Sequence, residues 1–389
     1  MSLLKRTPLA WLNLTHDRRR LLTSLGGVAF AVLLMFMFNG FKNALYDSQV
    51  QLLQLLNADI IITNTQKYNM FVPEPFARRR LYQARAFEGV EDAYPLYINT
   101  ANWKNAETKA TRPVRVLAFN PQDPVLRLPE VQTQLAKLQA PETVLIDLKS
   151  RPELGPITAG VETELGDRHV RVVGNYSLGT DFASGNGNLI MSDQNYLRYF
   201  AQVDPEDEER DLSTVDVGLV KIAENADPER IAAILSENLP KDVKVITQEG
   251  FVQQELTYWQ ENTNIGFVFS LLTTMAFIVG IILVYQILYT DVSDHWAEYA
   301  TLKAMGYRNF FLLGVVLQEA TILSILGFIP GFCISVLLYN ATANATGLLM
   351  QMTTDRALST LVATFIMCLI SGAIAVRKVQ ATDPAEVFG

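Results

Sequence analysis

Few residues of this chain could do covalent chemistry, and none is spaced for it. The three histidines, His16, His169 and His295, lie far apart, so a multi-histidine metal site is unavailable. No G-x-S-x-G elbow accompanies His169, and no G-x-x-x-x-G-K-[ST] loop occurs, so the chain does not hydrolyse ATP by a P-loop. Gly185-Asn186-Gly187 leads into a β-rich stretch rather than opening a helix, and reads as a tight turn. The acidic run Asp204, Glu206, Asp207, Glu208, Glu209 and Asp211 lacks the alternating spacing of a calcium loop and reads as a solvated loop tip. Glu319 is different, being the one acid well inside a long apolar stretch. A charge there costs about 2.5–3.5 kcal/mol on insertion scales, so Glu319 is expected to be protonated, snorkelling or paired across an interface. A structural or interface role is favoured over a proton relay, because the other apolar stretches offer no second ionisable group.

Those apolar stretches dictate the architecture. Residues 21–41, 262–290, 320–354 and 357–376 carry no Asp, Glu, Lys or Arg. A bilayer core is crossed by about 20 apolar helical residues. The chain therefore reads as a membrane protein of four transmembrane helices, one N-terminal and three C-terminal. A large α+β extracytoplasmic domain is inserted between the first and second. The expected limits are 1–20 for an interfacial helix, 21–46 for the first span and 47–261 for the outer domain with a helical stalk at both ends. Then come 262–290 for the second span, 291–309 for an inside helix, 310–340 for the third span, 341–356 for a short outer connection, 357–376 for the fourth span and 377–389 for an inside tail.

Charge sets the sidedness. Residues 1–46 sum to +5, 47–265 to −11 and 266–389 to −2. Lys5, Arg6 and Arg18 to Arg20 precede the first span, and Arg377 and Lys378 follow the last. Cytoplasmic flanks retain such bases, so both termini are expected inside and the large domain outside. Because the bases lie beside spans, no block is a nucleic-acid footprint. The N-terminus reads as an uncleaved signal anchor, since no small-x-small site follows its long apolar run before Lys42. Cys333 and Cys368, the only cysteines, fall in spans, which leaves the outer domain without a disulfide.

Local patterns fill in the pieces. Thr7-Pro8 suits a helix start, with Trp11, Leu12 and Leu14 giving an apolar side along the inner leaflet. As one helix, 262–290 would measure roughly 43 Å against a core of about 30 Å, so it must project from the membrane. Val252, Leu256, Trp259, Thr263 and Gly266 just before and within it form a packing seam. Phe41, Leu45, Gln49, Leu52 and Leu56 continue the first span in the same way. The two helices would make a stalk, or else be ordinary core helices at the base of the domain; periodicity does not separate these. Residues 297–305 carry no Gly or Pro and stop at Gly306, as a helix on the membrane face would. Pro330-Gly331 suggests a kink or a close helix contact. In the outer domain, strands are expected over 58–63, 114–119, 143–147, 169–173, 188–191 and 216–222. Helices are expected over 130–138, 194–201 and 228–239, the last capped by Asp227.

The order of spans and domain resembles the FtsX/MacB/LolC permeases of ABC systems, and the residues carry the likeness. Glu298-Tyr299-Ala300-Thr301-Leu302-Lys303-Ala304-Met305-Gly306 resembles the family's E-x-G-x-L-[KR]-A-[IM]-G coupling helix, with Ala300 in place of the first Gly. Gln318-Glu319-Ala320 followed by Leu326-Gly327 is similar to its third-span pattern. Ala10-Trp11-Leu12-Asn13-Leu14 with Arg20-Leu21-Leu22-Thr23-Ser24-Leu25-Gly26 resembles its N-terminal region, and Asp383-Pro384-Ala385-Glu386 its closing D-P-x-E. The N-terminal stretch and overall size look closest to the cyanobacterial DevC-type glycolipid exporters, although His295-Trp296 stands where many relatives carry Arg.

The resemblance implies a non-catalytic permease subunit of the inner membrane that works as a homodimer. It would bind no cofactor itself; ATP and Mg would sit on a separate cytoplasmic ABC ATPase subunit. Contact with that ATPase would fall on Glu298, Leu302, Lys303, Ala304, Met305 and Gly306. Further implied partners are a periplasmic adapter of the membrane-fusion type, a TolC-like outer-membrane channel and a lipid or glycolipid cargo. Stalk packing would rest on Leu45, Leu52, Leu56, Val252, Leu256 and Trp259, and an intramembrane structural role on Glu319, Pro330 and Gly331. The alternative is an FtsX-like regulator that activates a periplasmic cell-wall hydrolase without moving cargo.

Overall fold

A segment crossing hydrocarbon must satisfy its own backbone, so apolar runs of this length become helices. In the computed structural model, α1 (Leu9–His16) precedes α2 (Arg18–Leu55). The remaining long helices are α8 (Ile265–Asp294), α9 (Asn309–Thr346) and α10 (Thr354–Gln380). The last four are long and apolar enough to cross a membrane, and an α+β domain lies between the first and second of them. The structure describes residues 9–181, 184–201, 212–296 and 309–380, with Glu298, Thr301 and Met305. Two compact units are present: Met1–Asn43 with Ile265–Asn344 and Met350–Gly389, and Ala44–Asn264 with Ala345–Leu349.

The α+β unit is built on a nine-stranded sheet. Its strands are β1 (Ile60–Asn64), β3 (Val90–Lys104), β4 (Thr111–Phe119), β5 (Thr143–Asp147), β6 (Glu162–Leu165), β7 (Arg168–Tyr176), β8 (Asn188–Ser192), β10 (Val217–Ile222) and β11 (Val243–Thr247). They lie in the order β11-β1-β10-β3-β4-β8-β5-β7-β6, while β2 (Phe76–Ala77) and β9 (Thr214–Val215) pair separately. Residues of β3 from Val90 to Leu96 pair with β10, and those from Tyr97 to Lys104 pair with β4. The last six strands close on themselves where Trp103 of β3 meets Leu165 of β6. Helices α3 (Arg79–Arg85), α4 (Pro129–Gln132), α5 (Asp193–Phe200), α6 (Pro228–Asn238) and α7 (Gln248–Asn262) complete the unit. Asp227 caps α6 through Glu229 N–H.

Strand alternation decides which core each residue enters. In β1, Ile60 and Ile62 join one buried cluster with Leu81 and Leu235, from α3 and α6. Ile61 points to the other face, into a cluster with Leu52 and Leu53 of α2, Leu56 just after it, and Phe251 and Val252 of α7. The end of α2 is tied down by Gln248, whose amide donates to the Leu56 carbonyl at 3.0 Å. This meets one of the carbonyls a helix leaves unpaired at its C-terminus.

Two expectations change. The second span does not run on from the helix before it: α7 ends at Asn262, Thr263 is extended, and α8 starts at Ile265. Asn262-Thr263-Asn264 offers three side chains that compete for backbone groups, and Thr263 Oγ1 donates to the Trp259 carbonyl. The third and fourth apolar helices also extend beyond the expected limits, leaving residues 347–353 between them. Thr7, Pro8, the acidic run 204–211 and the closing 383–386 motif lie outside the described residues.

Candidate functional site

A charged group and a small apolar cluster lie at one end of the helical unit. Asp17 interrupts α1 and α2, and its Oδ1 accepts the N–H groups of Arg19 at 2.9 Å and Arg20 at 3.3 Å, an N-terminal cap. That turn places Arg20 against α8. Its guanidinium lies 2.6 Å from Asp294 and 3.6 Å from Asp291, two carboxylates spaced i, i+3 and so on one helix face. Asp291 in turn shares a side-chain hydrogen bond with Glu319 of α9. Glu319 is fully buried. His295 Nδ1 reaches the Asp291 carbonyl at 2.9 Å.

Just beyond, Val292 of α8, Val316 of α9 and Val376 of α10 form a small buried cluster onto which Trp296 packs. Thus α8's last turns and Trp296 touch all three other apolar helices: α2 and α9 through the charged group, α9 and α10 through the apolar one. Glu298 and Met305, which follow, are exposed. Leu302, Lys303, Ala304 and Gly306 lie outside the described residues.

Close helix approach holds the rest of the bundle. Gly327 and Gly331 of α9, four residues apart, face Val28 and Val32 of α2; a Cβ on either glycine would sit 2.6 Å or 2.8 Å from the valine Cβ. This is the small-xxx-small arrangement that lets membrane helices approach. Pro330 lies inside α9 between them in sequence. Tyr339 donates to the Phe36 carbonyl at 2.6 Å, and Ser371 of α10 donates to the Ile281 carbonyl of α8 at 2.9 Å.

Of the residues named for stalk packing, Leu52, Leu56 and Val252 are buried in a cluster shared with the sheet, and Leu256 packs on its edge. Trp259 is half-buried and donates to Glu255 at 2.9 Å. Leu45 is half-buried. These positions act as the base of the α+β core.

The α+β unit also holds a buried polar network that the sequence reading overlooked. Arg115 pairs with Asp181 at 2.8 Å and donates to Asn188 at 2.8 Å, with the Phe71 ring 4.9 Å from its guanidinium. Asp147 accepts four hydrogen bonds, from Lys149 N, Leu178 N, Gly179 N and Asn188 Nδ2. Glu255 accepts from Met70 N at 2.9 Å, and burial pushes its carboxyl above the usual range. His169, exposed, meets Glu142 at 3.1 Å. Among the described residues, no group of three or more His, Cys, Asp or Glu could hold a metal.

Asp291 and Asp294 were not singled out, and Arg20, Trp296 and Gly327 were named only as a basic flank or as parts of motifs. A signal existed: Arg20 ends the basic run before one apolar stretch, and Asp291 and Asp294 follow another. Bases at such positions also read as orientation markers, which hid the pairing.

No curated protein matches the chain. Among the solved structures that align with it, two cover about half of its length. The periplasmic region of MacB from Actinobacillus actinomycetemcomitans is 13% identical with a TM-score of 0.36, over 51% of this chain and 92% of that one. The extracellular domain of the noncanonic ABC-type transporter YknZ from Gram-positive bacteria is 11% identical with a TM-score of 0.32, over 49% and 98%. In the C-terminal part, residues 270–384, which take in most of α8 and all of α9 and α10, match the FtsX-like permease C-terminal family.

Proposed function

We propose that the chain is the permease subunit of an ABC exporter, with both termini and the 291–309 segment in the cytoplasm and the α+β domain in the periplasm. It carries no ATPase chemistry of its own; a separate cytoplasmic ATPase binds ATP and Mg and presses on the segment that includes Glu298, Leu302 and Gly306. The observation that supports this reading is the attachment of that segment: Trp296 and the last turn of α8 contact α2, α9 and α10. A push there reaches every apolar helix at once. The family match over 270–384 agrees with it. Two copies of the chain pair, a periplasmic adapter and an outer-membrane channel complete the conduit, and the cargo is an amphiphilic lipid or glycolipid, as in the DevC-type systems that the N-terminal stretch resembles.

The test is co-reconstitution with the ATPase that co-purifies from native membranes. Leu302→Asp and Gly306→Asp are expected to abolish stimulation of ATP hydrolysis and lipid export while leaving the helical unit folded. Unchanged stimulation and export in both variants would refute the coupling role. Labelling that finds Asp207 on the cytoplasmic face would refute the topology. Cargo that fails to accumulate in a deletion strain, with cell-wall hydrolysis impaired instead, would favour a regulator.

A further inference from the structure

We propose that a cavity of about 410 Å³ in the α+β unit binds the hydroxyl-rich headgroup of an amphiphile. Its volume falls within the roughly 300–1,000 Å³ of small-molecule sites. Every residue lining it belongs to this unit. The inference rests on the export reading for the role of the ligand, and on the cavity alone for its chemistry.

Position comes first. Leu45, Ser48 and Gln49 of α2 form one wall. The uncharged stretch of α2 ends at Phe41, so at about 1.5 Å per residue these side chains stand roughly 6–12 Å beyond it along the helix. Headgroups occupy the layer just outside a hydrocarbon core of about 30 Å. A second wall is made by Ala345 and Thr346, the last residues of the apolar helix α9, and by Leu348 just after it. The cavity is therefore made where two chain segments leave apolar helices. Gly179 and Gly347, both at positive φ, allow the 178–181 and 345–348 segments to lie side by side; a Cβ on Gly179 would stand 3.8 Å from the Gly347 carbonyl.

Chemistry comes second. Gln49 is 1% exposed, and its amide nitrogen donates to the Leu45 carbonyl at 3.3 Å and to Ser48 Oγ at 3.4 Å. Its Oε1 has no hydrogen-bond partner among the described residues, an unmet acceptor that buried amides rarely leave. Arg151 and Glu153 also line the cavity, and among the described residues neither side chain forms an ion pair. The backbone of their loop is fixed, since Arg151 N donates to the Asn186 carbonyl at 2.8 Å and Asn105 donates to the Glu153 carbonyl at 3.0 Å. Asp181, which also faces the cavity, is already committed to Arg115 and Ser184.

Leaving aside the committed Asp181, the charged and amide groups that the cavity offers are Gln49, Arg151 and Glu153, with the Ser48, Thr180 and Thr346 hydroxyls and the apolar Leu45, Pro152 and Leu348 around them. A phosphate would face the Glu153 carboxylate and the Gln49 oxygen, both acceptors. A quaternary ammonium would want an aromatic box, and among the described residues no aromatic lines the cavity. Vicinal hydroxyls, which donate and accept together, satisfy all three groups.

The experiment uses the full chain in amphipol, without ATPase, and measures saturable binding by native mass spectrometry. The probes are dodecyl maltoside, free maltose, dodecylphosphocholine and dodecyl sulfate. One equivalent of dodecyl maltoside is expected to bind. Gln49→Leu should weaken it about tenfold, the scale of one lost hydrogen bond to a desolvated group. Arg151→Ala/Glu153→Ala, on exposed side chains, should weaken it as well, and it carries the test if Gln49→Leu fails to fold. Weak competition by maltose identifies a lipid-borne headgroup, and tight binding of maltose identifies a free sugar as the ligand source. Preference for the phosphocholine or sulfate probe overturns the proposal, as does maltoside binding unchanged in both variants or the absence of saturable binding. Because no ATPase is present, failure here leaves the coupling reading intact, and failure of ATPase stimulation leaves the site intact.

Discussion

Moving one methyl group across the α2–α9 contact tests whether glycine spacing holds the bundle. Gly327→Ala puts a Cβ 2.6 Å from both Cβ and Cγ1 of Val28, with no backbone atom among the nearest neighbours. Carbons in contact rest at about 3.5–4.0 Å, so the helices must part by about 1 Å or Val28 must leave its rotamer. Overpacking of this kind costs about 1–3 kcal/mol, a loss of roughly 2–12 °C in Tm at 2–4 °C per kcal/mol. Val28→Gly removes every side-chain atom that the new methyl would meet, so the double variant should recover most of the loss, with a coupling energy of about 1–3 kcal/mol. Gly331→Ala with Val32→Gly should recover less, because the Ala29 carbonyl oxygen would still stand 2.9 Å from the new Cβ. Unfolding can be followed by thiol labelling of Cys368, which is buried, in a Cys333→Ser background. A Gly327→Ala variant within 1 °C of the parent would refute the packing argument, as would a double variant no more stable than the single one.

Three further outcomes are expected. Asp147→Asn turns an NH₂ group toward donors that a carboxylate oxygen now accepts; the cost is about 2–4 kcal/mol, visible as a Tm loss of roughly 4–16 °C in the α+β domain. Burial holds the Glu255 carboxyl above its ordinary range, so its contribution to stability is complete below the unfolded value of about 4.3 and is lost as pH rises through the raised one. As pH rises above that unfolded value, the Tm of the parent should therefore fall relative to Glu255→Gln, and parallel pH profiles would contradict this. Arg20→Ala leaves Asp291 and Asp294 without their guanidinium; with Arg20 27% exposed on its side chain, the loss is about 1–2 kcal/mol, below the 3–5 of a fully buried pair. Its larger effect should be on ATPase stimulation, measured beside Arg20→Lys as the milder change.

The four apolar helices and most strands were legible because each signal is local. An uncharged stretch can only be a helix in lipid, and 143–147, 188–191 and 228–239 carry β-branched runs or a capped, Pro-started turn. Strand β3 was missed because Glu91, Asp92, Pro95, Asn99 and Asn102 break its alternation. Pro95 is tolerated where β3 pairs with Gly218. The break at Thr263 was missed because a seam continuing through it looked helical, and polar residues compete with a helix only in context. The charged group around Arg20 depends on residues more than 270 positions apart, which no spacing rule connects. Gly327 was seen only as part of a motif, since close approach is a property of two helices and the sequence displays them one at a time.

Strand β3 has a mechanical meaning. One half of it is stitched to β10 and the other to β4, so the two halves of the sheet share a single backbone. The chain enters the sheet at β1, after α2, and leaves it at β11, before α7, and these two strands are neighbours at one edge. Tension on both helices would draw adjacent strands together, and would reach the closed six-strand half as shear along β3 and through the hydrogen bonds of Leu55 and Asn57 to Arg127 and Val125. Shear loads many hydrogen bonds at once where peeling breaks them singly. A load entering at that margin is therefore met by many parallel hydrogen bonds rather than by one at a time.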